Sequence, residues 1–294
     1  MGQDSPWSFA RLPDGCRIGI VGLGLMGGSL AAALRTRRPD LRLLGVARRP
    51  ETLVLAVEKG LVDGGSVSLA EVVPEVDVLV LAVPVRRIIG LVPEVAMLLR
   101  DGALLTDLGS TKSAVVAAMT ASPAAGHCVG GHPMCGRELH GLEAAQADLY
   151  VGATWALCPT ATSDEPSLML AAGLARAAGA VPMLIEPDRH DAIVARTSHL
   201  PYAVAASLVR AVAAVVPDGE LQALSAGGYR DTTRLAASDC DMMLDILLTN
   251  RQHVLSALAD MAGQIGELIR VLERADEVGL RRFLEQARHE RRLK

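Results

Sequence analysis

Two short polar segments follow predicted strands and carry residues suited to proton transfer. The first, Asp107–Lys112 (DLGSTK), contains Ser110, and the second, Gly131–Gly136 (GHPMCG), contains His132. A histidine titrates near neutral pH and therefore suits general acid–base chemistry. Because open α/β sheets bind ligands at the carboxyl ends of their strands, we expect Ser110 and His132 to meet in one crevice.

A glycine-rich turn, GLGLMG, connects the first predicted strand to a helical pattern. The order strand, G-x-G-x-x-G, helix is typical of dinucleotide-binding folds, since the glycines let backbone N–H groups approach a pyrophosphate. Ser110 and His132 would then lie toward the nicotinamide end of the crevice. The residues predicted to bind the cofactor at this turn and at a neighbouring strand end are Gly22, Gly24, Leu25, Met26, Gly27, Val83 and Pro84.

The end of the second predicted strand indicates which dinucleotide binds. NAD-binding folds place an acidic residue there to accept hydrogen bonds from the ribose 2′-OH. This chain has Ala47 at that position, followed by Arg48 and Arg49. A carboxylate would repel a 2′-phosphate, whereas arginine binds one through charge-assisted hydrogen bonds. The sequence therefore predicts NADP in preference to NAD, the alternative being two surface arginines with no such role.

Three polar stretches stand out in the second half of the chain: His190–Asp191, Ser198–Tyr202 and Gly227–Arg234. The last combines two glycines with two arginines and two threonines, a composition suited to binding a carboxylate. The alternative is a capped loop in which Asp231 and Thr232 begin a helix.

Histidines and cysteines between residues 127 and 140 raise the possibility of a metal site. Their spacings fit no standard zinc pattern. His127 and Cys128 also lie in a predicted strand, where adjacent side chains face opposite ways. We predict no metal ion.

The periodicity of the chain changes near residue 187. Before it, β-branched and leucine-rich runs alternate with helical patterns, as in an α/β domain with a largely parallel sheet. After it, only helical periodicity remains. We predict a loose tail at 1–15, a Rossmann-type dinucleotide-binding domain at 16–187 and an all-helical substrate and dimerisation domain at 188–294. The predicted strands are Arg17–Val21, Arg42–Val46, Val76–Ala82, Ala103–Thr106, His127–Gly130, Thr154–Cys158 and Val181–Ile185.

Composition narrows the classes of partner. The net charge is −4 and only seven residues are aromatic, which disfavours nucleic-acid binding. No uncharged apolar run approaches the ~20 residues of a membrane span, and no secretory signal is present. Five cysteines without a C-x-x-C pattern suggest free thiols and a cytoplasmic protein. Apolar helical patterns at 203–216 and 246–272 favour burial against a second subunit, hence a homodimer.

Taken together, six motifs resemble the prephenate/arogenate dehydrogenase family of tyrosine biosynthesis. They occur in the family's order and cover most of the chain from residue 17 onward. The matching segments are GLGLMGGS (Gly22–Ser29), LAVPV (Leu81–Val85), DLGSTKS (Asp107–Ser113), GGHPMCG (Gly130–Gly136), SHLPY (Ser198–Tyr202) and GYRDTTRLAASD (Gly228–Asp239).

The resemblance implies oxidative decarboxylation of a cyclohexadienol and a role for each matched residue. Hydride leaves ring C4, the C4 hydroxyl loses its proton, and the ring carboxylate departs as CO2. His132 would deprotonate or polarise the hydroxyl, Ser110 would orient it, and Arg234 would bind the ring carboxylate. The other residues implied near the substrate are Asp191, Gly227, His199, Tyr202 and Met243.

Two departures from the family pattern concern the substrate. Prephenate-using members often end the SHLP motif with a second histidine, where this chain has Tyr202, and some place an aromatic residue where it has Met243. Together with the arginine pair, these differences favour arogenate over prephenate, with use of both still open.

Three further readings stay as alternatives. The first is a relative acting on a 4-amino-4-deoxy analogue in a secondary pathway. The second is a β-hydroxyacid-type NADP dehydrogenase, which is disfavoured because those enzymes resemble one another in using a lysine in the helical region. Here no lysine lies between Lys112 and Lys294. The third is a non-catalytic NADP-binding regulator, which would leave the His132, Ser110 and Arg234 set unexplained.

Overall fold

The computed structural model describes residues 7, 9–136 and 139–292. Within them, one eight-stranded sheet has the order β3-β2-β1-β4-β5-β6-β7-β8. Neighbouring strands run parallel except β6 and β7, which are antiparallel. The strands are β1 Arg17–Val21, β2 Arg42–Val46, β3 Gly64–Ser66, β4 Val78–Leu81, β5 Leu104–Asp107, β6 Cys128–Pro133, β7 Thr154–Pro159 and β8 Val181–Leu184.

Helices cover both faces of the sheet and make up the rest of the chain after β8. They are α1 Leu25–Arg37, α2 Pro50–Glu58, α3 Leu69–Val72, α4 Val85–Leu98, α5 Ser113–Thr120, α6 Glu165–Ala177, α7 Pro187–Val194, α8 Leu200–Ala213, α9 Asp218–Leu224, α10 Gly227–Thr233, α11 Cys240–Thr249, α12 Arg251–Glu273 and α13 Glu277–Arg292. A π-helical turn, Ala195–His199, joins α7 to α8, and a 3₁₀ turn, Arg234–Ala237, follows α10.

The hydrophobic core lies on the two faces of the sheet. In β4, Val78 and Val80 enter one core cluster while Leu79 and Leu81 enter the other. This alternation follows from the two-residue period of a strand, and a strand buried on both faces reads as a continuous apolar run. The predicted α/β class, with a Rossmann-type sheet followed by helices, is confirmed.

Strand positions agree closely with the sequence pattern, with one omission. The first two predicted strands have the observed bounds, and the other five differ by at most three residues at either end. The omitted strand is β3, Gly64–Ser66, whose three small residues carry no apolar alternation. It pairs with β2 at the edge of the sheet.

The predicted loose tail is wrong for part of its length. Ala10 and Leu12 are buried and belong to the core cluster on the α6 side of the sheet, where Gly173 leaves room for the backbone of residues 11 and 12. Two isolated apolar residues give no periodic signal, which is why the tail reads as loose in the sequence. Residues 1–6 and 8 of that prediction lie outside the described residues.

In the described part of the chain, no helix combines the length and apolar character needed to cross a membrane. The Gly227–Thr233 segment forms α10, which begins at Gly227 without a side-chain cap, and Arg234 begins the following 3₁₀ turn. The alternative in which Asp231 and Thr232 begin a helix is therefore wrong.

Candidate active site

The glycine turn has the geometry that a dinucleotide site requires. Gly22 has φ of +97°, and a Cβ there would lie 2.5 Å from the carbonyl oxygen of Ala82. A Cβ on Gly27 would meet the backbone of the same turn, whereas one on Gly24 would meet no protein atom within 4 Å. Gly22 and Gly27 are thus required by packing, and Gly24 leaves open space at the start of α1. The residues therefore fit a bound pyrophosphate, with the N–H groups of Leu25 and Met26 in the first turn of α1.

The turn is supported from behind by the segment that precedes β7. The hydroxyl of Tyr150 donates to the carbonyl of Met26 at 2.7 Å, and the backbone N–H of Gln146 donates to the hydroxyl of Ser29 at 2.9 Å. Tyr150 in turn stacks on Trp155, and both rings are buried. Two of the few aromatic residues therefore stabilise the cofactor loop.

The two other predicted cofactor segments lie at strand ends on either side of this turn. Val83 and Pro84 follow β4, and a Cβ on Gly22 would lie 2.7 Å from a methyl group of Val83. Ala47 is buried at the end of β2, while Arg48 and Arg49 are exposed before α2. The two arginines are thus open to solvent just beyond the end of β2, the strand next to β1.

His132, on β6, belongs to a chain of hydrogen bonds that ends at a carboxylate. Its Nδ1 lies 2.8 Å from Nε2 of His190, and Nδ1 of His190 lies 2.8 Å from Oδ1 of Asp191. His190 and Asp191 are buried on α7, whereas His132 is partly exposed. This is the arrangement in which a base is oriented by a second group and that group by an anion.

The Asp191 side chain contacts the start of α5, and this contact fixes the far end of the hydrogen-bond chain. Its carboxylate accepts the backbone N–H groups of Lys112 at 2.7 Å and Ser113 at 2.8 Å. With the bond from His190, both oxygens are engaged, and the residue has no exposed surface. Burial acts to raise the pKa of Asp191, but hydrogen bonds from His190 and from these two N–H groups outweigh it and lower the pKa.

A buried ion pair holds the β5 and β6 ends together. The ammonium of Lys112 contacts the carboxylate of Asp107 and donates to the carbonyl of Gly131 at 2.7 Å. Asp107 also accepts the N–H groups of Gly109 at 2.7 Å and Gly131 at 2.9 Å. Because Gly131 precedes His132, and Ser110 lies between Gly109 and Lys112, these bonds fix the two strand ends on which both predicted catalytic residues stand.

The surroundings of His132 favour its neutral form. Although part of the residue is exposed, the surrounding protein removes most of the water from the imidazole, and this desolvation lowers its pKa well below the usual value. His190, the positive charge of Lys112 and His199 act in the same direction. A neutral imidazole has one nitrogen free to accept a proton.

The other predicted substrate residues lie on the helical side of this site. His199 is buried, with Nδ1 3.2 Å from the amide nitrogen of Asn250, which also donates to the carbonyl of Asp191 at 2.8 Å. Burial lowers the pKa of His199 to about 4. His199 and Asn250 therefore connect the α11–α12 junction to the chain that ends at Asp191.

The remaining substrate predictions fall on four elements of the helical half. Tyr202 is half-buried on α8, which packs against the turn that Arg234 begins. Gly227 is exposed at the start of α10, and Met243 is buried in α11. The structure thus places Tyr202 and Arg234 on adjacent elements.

Comparison with known proteins gives the family. The model of the prephenate dehydrogenase nucleotide-binding domain matches residues 30–184, and that of the prephenate dehydrogenase dimerization domain matches residues 186–286. The chain belongs to the prephenate dehydrogenase family. A prephenate dehydrogenase of Bacillus subtilis is 32% identical over 274 residues, which is 92% of this chain and 73% of that protein.

Two solved structures of this family have the same fold. The prephenate dehydrogenase of A. aeolicus, in complex with hydroxyphenyl propionate and NAD+, is 32% identical with a TM-score of 0.89, covering 94% of this chain and 97% of that one. The Synechocystis arogenate dehydrogenase is 31% identical with a TM-score of 0.82, covering 94% and 98%.

In this member of the prephenate dehydrogenase family, sequence reasoning missed several residues that surround His132. Lys112 and Asp107 lay inside a recognised motif but received no role, although a lysine and an aspartate five residues apart at the end of a buried strand could have indicated an ion pair. His190 stood in a noted stretch without an assigned contact. Nothing in the sequence indicated Asn250, because its contacts come from elements 50 or more residues away.

Proposed function

We propose that this protein catalyses the NADP-dependent oxidative decarboxylation of a cyclohexadienol, with arogenate favoured over prephenate. The observation that carries the proposal is the His132–His190–Asp191 chain at the carboxyl edge of the sheet that bears the glycine turn. This hydrogen-bond chain thus places a neutral histidine, the proposed base, at the edge of a nucleotide-binding sheet. The relatives named as prephenate and arogenate dehydrogenases support the choice of substrate class.

The chemistry divides between a bound dinucleotide and the protein's own groups. A pyridine nucleotide held at the glycine turn supplies the acceptor for hydride from ring C4. His132 takes the proton of the C4 hydroxyl, and Ser110 orients that hydroxyl. Loss of the ring carboxylate as CO2 then makes the ring aromatic. The hydroxyl proton that His132 takes becomes more acidic as hydride departs, which suits general-base catalysis.

Arg234 binds the ring carboxylate in this proposal, and Gly227 supplies backbone beside it. The planar guanidinium forms two parallel hydrogen bonds to a carboxylate, which a lysine cannot do. Asp191 acts through His190 rather than on the substrate, because both of its oxygens are engaged within the protein. His199 likewise acts from behind, through Asn250.

The cofactor preference rests on the end of β2. Arg48 and Arg49 are exposed there, and no carboxylate occupies the position of Ala47. Replacing both arginines with alanine should weaken NADP+ binding at least tenfold and leave NAD+ binding nearly unchanged, because only NADP+ carries the 2′-phosphate. Equal losses for the two cofactors, or tighter binding of NAD+ by the unaltered protein, would contradict the preference.

The substrate preference rests on Tyr202 and Met243. Both replace residue types that the family resemblance associates with prephenate users, and Met243 is buried in α11, where no ring is available to contact a ligand. Tyr202→His should therefore raise kcat/KM for prephenate relative to arogenate. An unchanged ratio would remove Tyr202 from the specificity argument.

We also infer a cytoplasmic homodimer that binds neither nucleic acid nor membrane. The match to a dimerization-domain model and the large apolar side chains exposed on α11–α13 support the dimer. The cysteines are free thiols among the described residues, in accord with a reducing compartment.

The deciding experiment supplies the purified protein with prephenate or arogenate, each with NAD+ or NADP+, and follows the absorbance of reduced nicotinamide. Arogenate with NADP+ should give the highest kcat/KM. His132→Asn should lower kcat by about 10²- to 10⁴-fold with KM little changed, since it removes the base but keeps the shape. No turnover in any combination, or normal turnover in the variant, would contradict the proposed function.

A further inference from the structure

We propose that His190 and Asp191 are positioning residues that hold His132 in the tautomer protonated on Nδ1, so that its Nε2 is the proton acceptor. The inference rests on the proposed function, because the tautomer matters when His132 acts as a base. It assigns roles to two side chains whose hydrogen bonds run to His132 and to the start of α5.

The tautomer follows from the order of donors and acceptors along the chain. An ionised carboxylate only accepts hydrogen bonds, so Nδ1 of His190 must carry the proton directed at Asp191. A neutral His190 then has a bare Nε2, which must accept from the nitrogen facing it. That nitrogen is Nδ1 of His132, 2.8 Å away. His132 is left with an unprotonated Nε2.

Three hydrogen bonds, from two other parts of the fold, hold Asp191 in this arrangement. The backbone N–H groups of Lys112 and Ser113 hold the carboxylate of Asp191 at the N-terminus of α5, where the helix dipole also favours a negative charge. The amide of Asn250 holds the Asp191 carbonyl from the α11–α12 junction. Asp191 therefore cannot turn away without leaving buried N–H groups unpaired, which is unfavourable.

The same chain stabilises the positive charge that His132 acquires during the reaction. When Nε2 takes the substrate proton, the imidazolium donates through Nδ1 to His190, and His190 donates to the Asp191 anion. Within the described residues, the other titratable groups that act on His132 are His199 and the Lys112–Asp107 ion pair, whose lysine opposes a second positive charge. Asp191 is thus the anion toward which the new charge is directed.

Two substitutions of His190 distinguish its positioning role from the effect of its side-chain volume. In His190→Gln, the side-chain carbonyl can accept the Nδ1 proton of His132, so the tautomer should persist and kcat should fall less than tenfold. In His190→Leu, the acceptor is lost, and kcat should fall by about 10²-fold or more with KM nearly constant, as when a base is left in the wrong tautomer. Both variants leave the Asp191 bonds to α5 in place, which keeps the fold testable by circular dichroism.

The tautomer itself is measured in the protein without substrate or cofactor, by two-bond ¹H–¹⁵N correlation with ¹⁵N-histidine at pH 7.5. The His132 signals are identified by their absence from His132→Asn. We expect the Nδ1–H pattern in the unaltered protein and in His190→Gln, and its loss in His190→Leu.

The outcomes distinguish this inference from the proposed function. An Nε2–H pattern for His132 in an active enzyme, or equal kcat for the Leu and Gln variants, would overturn the positioning role alone. An Nδ1–H pattern in a protein that oxidises neither substrate would overturn the proposed reaction and leave the tautomer assignment intact.

Discussion

At the scale of single residues, the ion pair of Lys112 and Asp107 shows how the site tolerates a fully buried charge. Neither side chain has exposed surface, and each has hydrogen bonds besides the pair, to the carbonyl of Gly131 and to the N–H groups of Gly109 and Gly131. Burying a charge is energetically costly unless the charge is paired and its remaining hydrogen-bond donors or acceptors are satisfied. The pair therefore adds order at the β5 and β6 ends more than it adds net stability.

Removing one partner of this pair should be severe. Lys112→Met leaves the Asp107 carboxylate buried with backbone donors alone, and we expect a loss of about 3–5 kcal/mol in the free energy of unfolding, measured with urea. Lys112→Met with Asp107→Asn should recover part of that loss. The matched control is Arg86→Met, which breaks the partly exposed pair with Asp245 at 3.7 Å and should cost less than ~1 kcal/mol. A similar small loss for Lys112→Met would contradict the buried-pair account.

The pKa of His199 gives a dependence of stability on pH. Burial lowers that pKa to about 4, so the unfolded chain, with its ordinary histidine, binds more protons between pH 6.5 and pH 4. Folding should lose stability as the pH falls through this window, by about 2 kcal/mol at pH 5 from this residue. His199→Gln should flatten the decline measured by urea unfolding at pH 7.5 and pH 5. An equal decline in the variant would assign it to other groups.

At the scale of elements, the junction of α11 and α12 connects the helical half to the site. Asn250, between the two helices, donates to the carbonyl of Asp191 and lies beside His199. Close by, the hydroxyls of Thr111 and Thr249 are 2.9 Å apart. These contacts join α11–α12 to α7 and to the start of α5. A shift of the junction would therefore displace the residues that hydrogen-bond to His132.

Asn250→Ala should therefore affect both stability and turnover. The substitution removes one donor from the Asp191 carbonyl, which keeps the N–H of Ala195, and it removes the amide partner of buried His199. We expect a loss of about 1–3 kcal/mol together with a lower kcat. The control is Ser256→Ala, an exposed position on α12 whose hydroxyl accepts from Arg196 at 3.3 Å, where little should change. Thermal unfolding and the nicotinamide assay measure the two effects, and a normal kcat at Asn250→Ala would uncouple the junction from the site.

At the scale of the whole molecule, the long helix α12 presents an apolar face to solvent in a single chain. Ile265, Ile269 and Leu272 lie on one side of it, and each is about half exposed. Their spacing of four and three residues places them in one stripe. An exposed apolar stripe of this kind is typical of protein interfaces, and it supports the homodimer proposed above.

Charges placed in this stripe should dissociate the dimer. Ile265→Glu with Ile269→Glu should halve the mass measured by light scattering after size exclusion, because burying two carboxylates in an apolar interface is strongly unfavourable. Met97→Glu is the control, since Met97 is an exposed apolar residue on α4, outside the helical half. A monomeric unaltered protein, or an intact dimer in the double variant, would contradict this assignment.

More of the sheet than of the site could be predicted from the sequence. The strands could be placed because buried parallel strands are short apolar runs, and the glycine turn because its spacing is local. The three small residues of β3 and the packing of Ala10 and Leu12 were missed, since neither produces a periodic pattern.

The sequence by itself determined the fold class and singled out the glycine turn and His132, the proposed cofactor site and the proposed base, since each rests on local spacing or on motifs read in order. Only the tertiary structure decided what surrounds that base. His132 lies 58 residues from His190, and Lys112 lies 79 from Asp191. Hydrogen bonds over such separations depend on which strand ends and helix N-termini meet at the edge of the sheet. That is a property of packing, which no segment of the chain encodes alone.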